Sequence, residues 1–251
     1  MSFAASADAY SRFMGRYSEP LSGPFAAFAG IHAGDRVVDV GSGPGALTAH
    51  LLTIGAEVAA IDPSPPFAAA LRRRFADVDV REGTAEAMPF ATGEFDAALA
   101  QLVVHFMPDP VAGIKSMARV TRSGGRVAAC IWDAESGAVA PFWEAVRQLD
   151  ADAVDPAFAP GAHRGSLSTL FAQAGLDDIE EIDVTVGVLH PSFEEWWEPY
   201  TFGIGPAGAY CARLDAADRD RVRSAARDLF GEGPFTVTAT AWAARGTVNR
   251  P

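Results

Sequence analysis

Short apolar runs rich in β-branched residues alternate, through the first half of the chain, with segments whose apolar positions recur at helical spacing. This alternation predicts βαβ units and a parallel sheet. The strands predicted in this half are Arg36–Gly41, Glu57–Asp62, Val78–Gly83, Phe95–Gln101 and Arg126–Trp132. The helices predicted between them are Ala46–Gly55, a helix capped by Ser64 that ends at Phe75, and Pro110–Val120, which leads to a glycine turn at Ser123–Gly125.

The second half of the chain is less regular and is punctuated by proline, glycine and aromatic residues between Asp133 and Pro234. Two helices are predicted there, at Ser166–Gly175 and Ala216–Gly231. Strands at Ile179–His190 and Phe235–Gly246 would complete a sheet of seven strands. A chain of 251 residues, 49% of them hydrophobic, is typical of a single α/β domain around one core.

The composition of the chain argues against several classes of function. No apolar stretch reaches the roughly 20 residues that cross a bilayer, and the chain does not start with a basic region and an apolar run, so we expect a cytoplasmic protein without a membrane span. The cysteines, Cys130 and Cys211, are far apart, and no His/Cys cluster has zinc-site spacing, so we expect no metal. A net charge of −12 disfavours nucleic acid as a partner, and the oligomeric state stays open.

The strongest chemical signal is VVDVGSGPG, Val37 to Gly45, which ends a predicted strand and opens a helix. Its three glycines allow a tight turn and close approach of a ligand. Asp62 closes the next strand seventeen residues after Gly45, where a carboxylate can accept hydrogen bonds from both hydroxyls of a ribose. The spacing is G-x-G-x-G, and Ala46 stands where a dinucleotide-binding turn has its third glycine. A nucleoside site is therefore predicted, and a nicotinamide-dependent oxidoreductase stays as an alternative.

At these residues the sequence resembles the class I S-adenosylmethionine (SAM) dependent methyltransferases, in the small-molecule branch similar to the ubiquinone-biosynthesis C-methyltransferases. The motifs that carry the resemblance, in chain order, are VVDVGSGPG, AAIDPS, EGTAEAMPF and TRSGGRVAACIW. The resemblance implies an α/β, Rossmann-like fold with a seven-stranded, mostly parallel sheet and helices on both faces. It divides one domain, 1–251, into N-terminal lid helices (1–30), a SAM-binding core (31–132), an acceptor-side cover with additional core elements (133–234), and the last strand and tail (235–251).

The resemblance also assigns a cofactor site. It implies that the glycine turn lines the methionine part of SAM with Asp39 near the ammonium group, that Asp62 holds the ribose, and that Pro63 packs on the adenine. Thr84 stands where many family members have an aspartate for the adenine amino group, beside the implied adenine-edge residues. The candidate cofactor-binding residues, including Arg16 and Gln101 for the reasons given below, are Arg16, Asp39, Gly41, Ser42, Gly43, Gly45, Asp62, Pro63, Thr84, Ala85, Glu86 and Gln101.

The segment YSRFMGRYS, Tyr10 to Ser18, resembles the N-terminal lid of the same families. Arg16 can form a bidentate pair with a carboxylate such as that of SAM, and Tyr10 and Tyr17 can cover the ligand. An amphipathic helix with a solvated arginine is the alternative. A lid of this kind would exclude water from the site.

The acceptor side contains fewer clear signals. Gln101 ends a predicted strand at the sheet edge where α/β proteins bind ligands, and His105, shortly after it, is a candidate general base or a packing residue. Aromatic residues of the cover are expected to line an apolar acceptor pocket or to form the core of the cover. These residues are Phe142, Trp143, Phe158, Phe193, Trp196, Trp197, Tyr200, Phe202 and Tyr210.

The predicted function is transfer of the SAM methyl group, by in-line displacement, to a small lipophilic or aromatic acceptor, with S-adenosylhomocysteine as the product. The sulfonium already activates the methyl group, so the protein need supply only alignment and a dry site. The alternatives are the nicotinamide-dependent oxidoreductase and a binding module that retains SAM without turnover.

Overall fold

The computed structural model describes residues 10–151, 153 and 162–249 of the chain. Seven strands in this part form one sheet in the order β3-β2-β1-β4-β5-β7-β6. The strands are β1 (Arg36–Val40), β2 (Glu57–Asp62), β3 (Asp79–Glu82), β4 (Phe95–Gln101), β5 (Thr121–Trp132), β6 (Asp177–His190) and β7 (Phe235–Thr247).

The first five strands pair in parallel, as the alternation of apolar runs and helical segments predicts. β7 lies between β5 and β6 and runs antiparallel to both. The sheet therefore has seven strands and is mostly parallel, which confirms the predicted Rossmann-like fold class.

Helices cover both faces of the sheet. Alternate residues of each central strand point to opposite faces, so Val37 packs in one apolar cluster and Val38 in another. On the Val37 side lie α1 (Arg16–Ala29), which follows a π-helical turn at Ser11–Gly15, α2 (Ala46–Thr53) and α3 (Pro65–Arg74). On the Val38 side lie α4 (Pro110–Val120) and α6 (Ser166–Ala174).

Two local features differ from the sequence-based expectations. β5 begins at Thr121, so the predicted turn at Ser123–Gly125 lies inside the strand. Backbone hydrogen bonds to the residue after β7 hold this part of the strand. The Gly124 N–H donates to the Val248 carbonyl, and the Val248 N–H donates to the Gly125 carbonyl. Ser64 is the residue before α3, as predicted, but its hydroxyl has no hydrogen-bond partner among the described residues, so the predicted side-chain cap is wrong.

The cover contains more helix than the sequence pattern indicates. Besides α6 and α9 (Ala216–Asp228) it has α5 (Ala140–Arg147), α7 (Phe193–Trp197), a 3-10 segment (Glu198–Phe202) and α8 (Gly205–Arg213). α5 and α8 have proline in the first turn, where a missing N–H costs little. Segments this short owe their stability to packing rather than to propensity, so periodicity alone does not reveal them.

Residues 10–151, 153 and 162–249 include no helix that is both long enough and apolar enough to cross a bilayer. Within the same ranges, no three His, Cys, Asp or Glu side chains are grouped so that they could hold a metal ion.

Candidate active site

A cleft opens at the carboxyl edge of the sheet, where β1, β2 and β4 end. We call it the glycine-turn cleft; it holds about 680 Å³ of space, part of it open to solvent. Its lining residues are Tyr10, Ser18, Asp39, Gly41, Ser42, Gly43, Pro44, Ala46, Leu47, Asp62, Pro63, Phe67, Gln101, Leu102, Val103 and Phe106. The cleft therefore brings together residues from β1, β2, β4 and the N-terminal segment.

The three glycines of the turn have different roles. All have positive φ angles, +69° at Gly41, +53° at Gly43 and +94° at Gly45, so each favours glycine. A Cβ at Gly41 would collide with Val103 and one at Gly45 with Leu71, whereas a Cβ at Gly43 would meet nothing within 4 Å. Gly43 is therefore the glycine at which a ligand could approach the backbone closely. Gly41 and Gly45 are required by the protein's own packing, and Gly45 does not line the cleft.

The Asp62 carboxylate joins two turns of the cleft. Its Oδ2 atom accepts the Gly43 backbone N–H and its Oδ1 atom that of Ser64, both at 2.8 Å. Burial raises the pKa of the Asp62 carboxyl, and the two hydrogen bonds oppose this shift. Because a carboxylate has about four acceptor sites, two remain for the hydroxyls of a ligand.

Asp39 lies at the base of the cleft and is only 1% exposed. Its Oδ2 atom accepts the Thr48 hydroxyl at 2.6 Å. Burial raises the pKa of the Asp39 carboxyl to about 7, the Thr48 bond opposes this shift, and the neighbouring charge of Asp62 adds to it. A cationic group placed against Asp39 would favour its ionised form.

Gln101 connects the end of β4 to α1. Its Nε2 atom donates to the Ser18 carbonyl at 2.9 Å, while its Oε1 atom is buried without a hydrogen-bond partner among the described residues. A buried acceptor without a partner costs free energy, and a donor from a ligand would remove that cost. Gln101 is therefore suited to a ligand that brings an N–H group into the cleft.

Arg16 does not line the cleft. Its guanidinium forms an ion pair with Glu195 at 2.5 Å and lies 3.1 Å from His190 Nδ1. Tyr17, the neighbouring residue, contacts the other ring nitrogen of His190 at 2.9 Å and also does not line the cleft. A carboxylate of the protein therefore already pairs with Arg16, and its contact with a ligand carboxylate stays a prediction. Tyr10 does line the cleft, as expected of a covering residue.

The loop after β3 also lies apart from the lining of the cleft. Thr84 precedes a 3-10 turn at Ala85–Ala87, which packs against α4. Ala85 is buried, and the Glu86 carboxylate accepts the Asp109 backbone N–H at 3.4 Å. The adenine-edge role implied for Thr84, Ala85 and Glu86 stays a prediction, and helix packing holds this loop in place.

A second cavity of about 900 Å³, partly open to solvent, adjoins the glycine-turn cleft, and we call it the apolar cavity. Tyr10, Leu102 and Phe106 line both. The other lining residues are Phe13, Met14, His105, Ile131, Trp132, Asp133, Ala134, Gly137, Val139, Ala140, Trp143, Ala162, Ile204, Gly205, Pro206 and Ala207.

Leu102 lines both cavities, and the sequence analysis did not identify it as a site residue. Its φ angle is +64°, a left-handed conformation that costs a non-glycine residue roughly 1–2 kcal/mol. Its backbone N–H donates to the Cys130 carbonyl at 2.8 Å, which holds this conformation at the end of β4. Backbone strain of this kind clusters at functional sites, but an ordinary leucine after a strand gives no signal of it in the sequence.

His105 lines the apolar cavity beside Leu102 and Phe106. Burial lowers the pKa of its imidazole to about 4, and its Nδ1 atom has no partner among the described residues. The ring is therefore neutral near pH 7 and has a nitrogen free for a ligand.

Most aromatic residues of the cover do not line the apolar cavity. Of those named from the sequence only Trp143 does, while Phe158 falls outside the described residues. Phe142 and Tyr200 stack with ring centroids 4.6 Å apart, and Trp196 lies 4.9 Å from Tyr200. Phe142, Phe193, Trp196, Trp197 and Tyr200 are buried in the cover, and Phe202 and Tyr210 pack against it. Most of these rings therefore follow the second of the two expectations and form the core of the cover, while Trp143 also lines the cavity.

The strand order, with antiparallel β7 between β5 and β6, and the two adjoining cavities at the carboxyl edge of the parallel strands together define a class I methyltransferase fold. Residues 38–129 match the family model described as a methyltransferase domain. That segment is therefore similar to methyltransferase domains, and the fold of the described residues is the one these domains have.

Individual relatives resemble parts of the chain. An uncharacterised protein of Mycobacterium tuberculosis is 37% identical over 120 residues, 46% of this chain and 44% of that protein. A demethylmenaquinone methyltransferase of Mycobacterium sp. (strain KMS) is 42% identical over 101 residues, 40% of this chain and 43% of that enzyme. Both alignments span less than half the length of these relatives. The solved structure of the YcgJ protein from Bacillus subtilis has a TM-score of 0.60 and 18% identity, covers 94% of this chain and 99% of its own, and shows the same fold.

Proposed function

We propose that this chain is a SAM-dependent methyltransferase that transfers the methyl group to a small, lipophilic or aromatic acceptor by in-line displacement. The proposal rests on one observation: the glycine-turn cleft and the apolar cavity adjoin each other, and Tyr10, Leu102 and Phe106 line both. Displacement in line requires donor and acceptor sites to meet at one boundary, with water kept out.

The described residues of the glycine-turn cleft fit the cofactor. Gly43 presents backbone to open space, and the Asp62 carboxylate accepts ribose hydroxyls at the positions that its two backbone bonds leave free. Asp39 and the unpartnered oxygen of Gln101 receive the ammonium group. When bound, SAM supplies a methyl group activated on a sulfonium.

The residues of the apolar cavity orient the acceptor and exclude water. His105, neutral near pH 7, accepts a proton from an acceptor hydroxyl or amine. One general base contributes about 10²- to 10⁴-fold, whereas alignment can contribute roughly 7 kcal/mol or more, so alignment is the larger effect. We also propose that residues 1–251 form one domain and that the acceptor is not a nucleic acid, since the net charge is −12.

Titration calorimetry with SAM, S-adenosylhomocysteine and NADH tests the cofactor. We expect both adenosyl compounds to bind and NADH not to bind. Tight NADH binding with no response to SAM would overturn the proposal in favour of a nicotinamide-dependent oxidoreductase.

Turnover is tested with methyl-labelled SAM and a panel of lipophilic phenols, quinols and amines. We expect label in at least one acceptor, and we expect Asp62→Ala to lose it together with SAM affinity. SAM binding with no label in any member of the panel would favour a binding module that retains SAM without turnover.

A further inference from the structure

The apolar cavity has one charged side chain among its described lining residues, that of Asp133. This residue follows the last residue of β5 directly and is partly buried. The rest of the described lining is apolar or aromatic, apart from the uncharged His105. A carboxylate in an apolar cavity without a cation is costly unless hydrogen bonds satisfy it.

Protein donors hold the Asp133 carboxylate in place. Its Oδ1 atom accepts the Trp242 indole N–H at 3.0 Å, and its Oδ2 atom accepts the Ser136 hydroxyl at 3.2 Å. The backbone N–H of Asp133 donates to the Thr240 carbonyl at 2.9 Å. Oδ2 also accepts the Glu135 backbone N–H at 3.4 Å. These bonds fix the orientation of the side chain, and the Oδ1 atom keeps a further acceptor site. No ion pair joins Asp133 to any described residue.

The sheet brings Asp133 and His105 to the same cavity. β4 and β5 are parallel neighbours in which Gln101 pairs with Cys130, so the two residues follow adjacent strand ends. Elsewhere the described lining includes apolar and aromatic side chains such as Phe13, Met14 and Trp143. The cavity thus offers apolar walls for the body of a ligand and a small polar region made of an imidazole and a fixed carboxylate.

We propose that Asp133 determines the charge class of the acceptor: the cavity takes a molecule with an apolar body and a hydroxyl or amine as its polar group, and rejects one with a carboxylate or phosphate there. An acceptor that donates a hydrogen bond, or is cationic, satisfies the carboxylate. An anionic acceptor meets a negative charge that no cation offsets, in a cavity only partly open to solvent. This inference rests on the proposed function, because it makes the apolar cavity the acceptor site.

Three probes with the same aromatic body test the proposal: 2-naphthylmethylamine, 2-naphthol and 2-naphthoate. Their affinities for the full chain are measured by titration calorimetry at pH 7.5, with and without S-adenosylhomocysteine. We expect the amine to bind at least roughly tenfold more tightly than the carboxylate, from the interaction of one nearby charge pair in a partly solvated site, with the naphthol between them.

Asp133→Asn is the matched variant, because the amide oxygen still accepts the Trp242 indole N–H while the charge is lost. We expect it to lower the amine-to-carboxylate affinity ratio by roughly tenfold. Glu135→Gln is the control, because Glu135 is exposed, lies outside the described cavity lining and contributes only its backbone N–H to Asp133. The amine-to-carboxylate affinity ratio of this variant should match that of the wild-type chain.

A carboxylate probe that binds the wild-type chain as tightly as the amine would overturn the proposal, as would an unchanged ratio in Asp133→Asn. Failure of all three probes to bind at millimolar concentration would also overturn it, since the cavity would then not accept an apolar ring. Charge selectivity without SAM binding would refute the proposed function and, with it, the acceptor role of the apolar cavity. SAM binding without charge selectivity would refute this inference alone.

Discussion

Asp62 ends β2, Gly43 lies in the turn after the neighbouring parallel strand β1, and the Asp62 carboxylate accepts the Gly43 backbone N–H at 2.8 Å. The same carboxylate accepts the Ser64 N–H, so one side chain shapes both turns before any ligand arrives. Asp62 thus has two roles in the proposed site: it holds the open edge at Gly43 in position, and it offers acceptor positions to a ribose.

Replacing Asp62 by Ala removes both roles. We expect SAM affinity measured by calorimetry to fall by about 1.5–3 kcal/mol, and the free energy of unfolding to fall as well, because two backbone N–H groups lose their acceptor. Asp77→Ala, an exposed aspartate at the opposite edge of the sheet, is the control and should change neither. SAM affinity that stays at the wild-type value in Asp62→Ala would remove Asp62 from the site.

Asp39 should make SAM binding depend on pH. Its carboxyl has a raised pKa of about 7 in the folded protein, and a cationic ligand favours the ionised form, so binding below pH 7 releases a proton. We expect affinity to rise as the pH increases from 6 to 8, by up to about tenfold per pH unit below 7. Calorimetry at pH 6.5 in two buffers of different ionisation enthalpy measures the released proton.

The control for this prediction is Asp39→Asn, which should show weaker binding with a flat pH dependence. In the ligand-free protein a rise in pH has the opposite effect, because it lowers the contribution of Asp39 to stability. Between the ordinary pKa of 3.8 and about 7 the folded state binds the extra proton, so the contribution of Asp39 to the free energy of unfolding falls as the pH rises through that window. An identical pH dependence in Asp39→Asn would contradict the assignment.

His105→Ala should reduce turnover by about a hundredfold and leave SAM affinity unchanged if the imidazole acts as general base. Because its pKa is lowered to about 4, the imidazole stays unprotonated down to about pH 5, and loss of activity from this group should appear only below that. The pH profile of kcat/KM checks this. His32→Ala, an exposed histidine, is the control. Full activity in His105→Ala would assign His105 to packing.

Gln101→Leu should weaken SAM binding by about 1 kcal/mol and speed amide hydrogen exchange in α1, because it removes both the bond to Ser18 and the free acceptor. Calorimetry and exchange mass spectrometry measure the two effects. Gln148→Leu, on an exposed position, should alter neither. Slower exchange, or exchange at the wild-type rate, would show that Gln101 does not hold α1.

Gly45→Ala should destabilise the fold by about 2–5 kcal/mol, the sum of a left-handed backbone cost of roughly 1–2 kcal/mol and overpacking against Leu71. Gly43→Ala should incur only the backbone cost and should weaken SAM binding by narrowing the cleft. Gly34→Ala, with a φ of +85° and open space, measures the backbone cost alone. Denaturant unfolding measures the loss of unfolding free energy in the three variants. An equal loss in Gly45→Ala and Gly34→Ala would contradict overpacking against Leu71.

The parallel half of the sheet was predictable from local patterns. Glu57–Asp62, Phe95–Gln101 and Pro110–Val120 have the predicted bounds, because a buried parallel strand is a short continuous apolar run and a helix has a strong period. Asp62 and Gly43 were predictable as neighbours for the same reason. Consecutive parallel strands bring their following turns to one edge, so two motifs in sequence predict one site.

Contacts between distant segments were not predictable in this way. Arg16 pairs with Glu195, far along the chain, and nothing near Arg16 distinguishes a ligand carboxylate from one supplied by the protein. Asp133 and Leu102 carry no motif, yet both line the apolar cavity. Trp143 lines that cavity while Tyr200 is buried in the core of the cover, although both are aromatic residues of the same irregular region.

The sequence by itself determined the strands and helices of the parallel half of the sheet and the glycine turn with its partner Asp62, because these depend on the conformational preferences of neighbouring residues and on burial periodicity. Only the tertiary structure decided which side chains face each cavity and which charges are already paired. Those outcomes depend on how segments far apart in the chain pack together, and a local pattern contains no record of that packing.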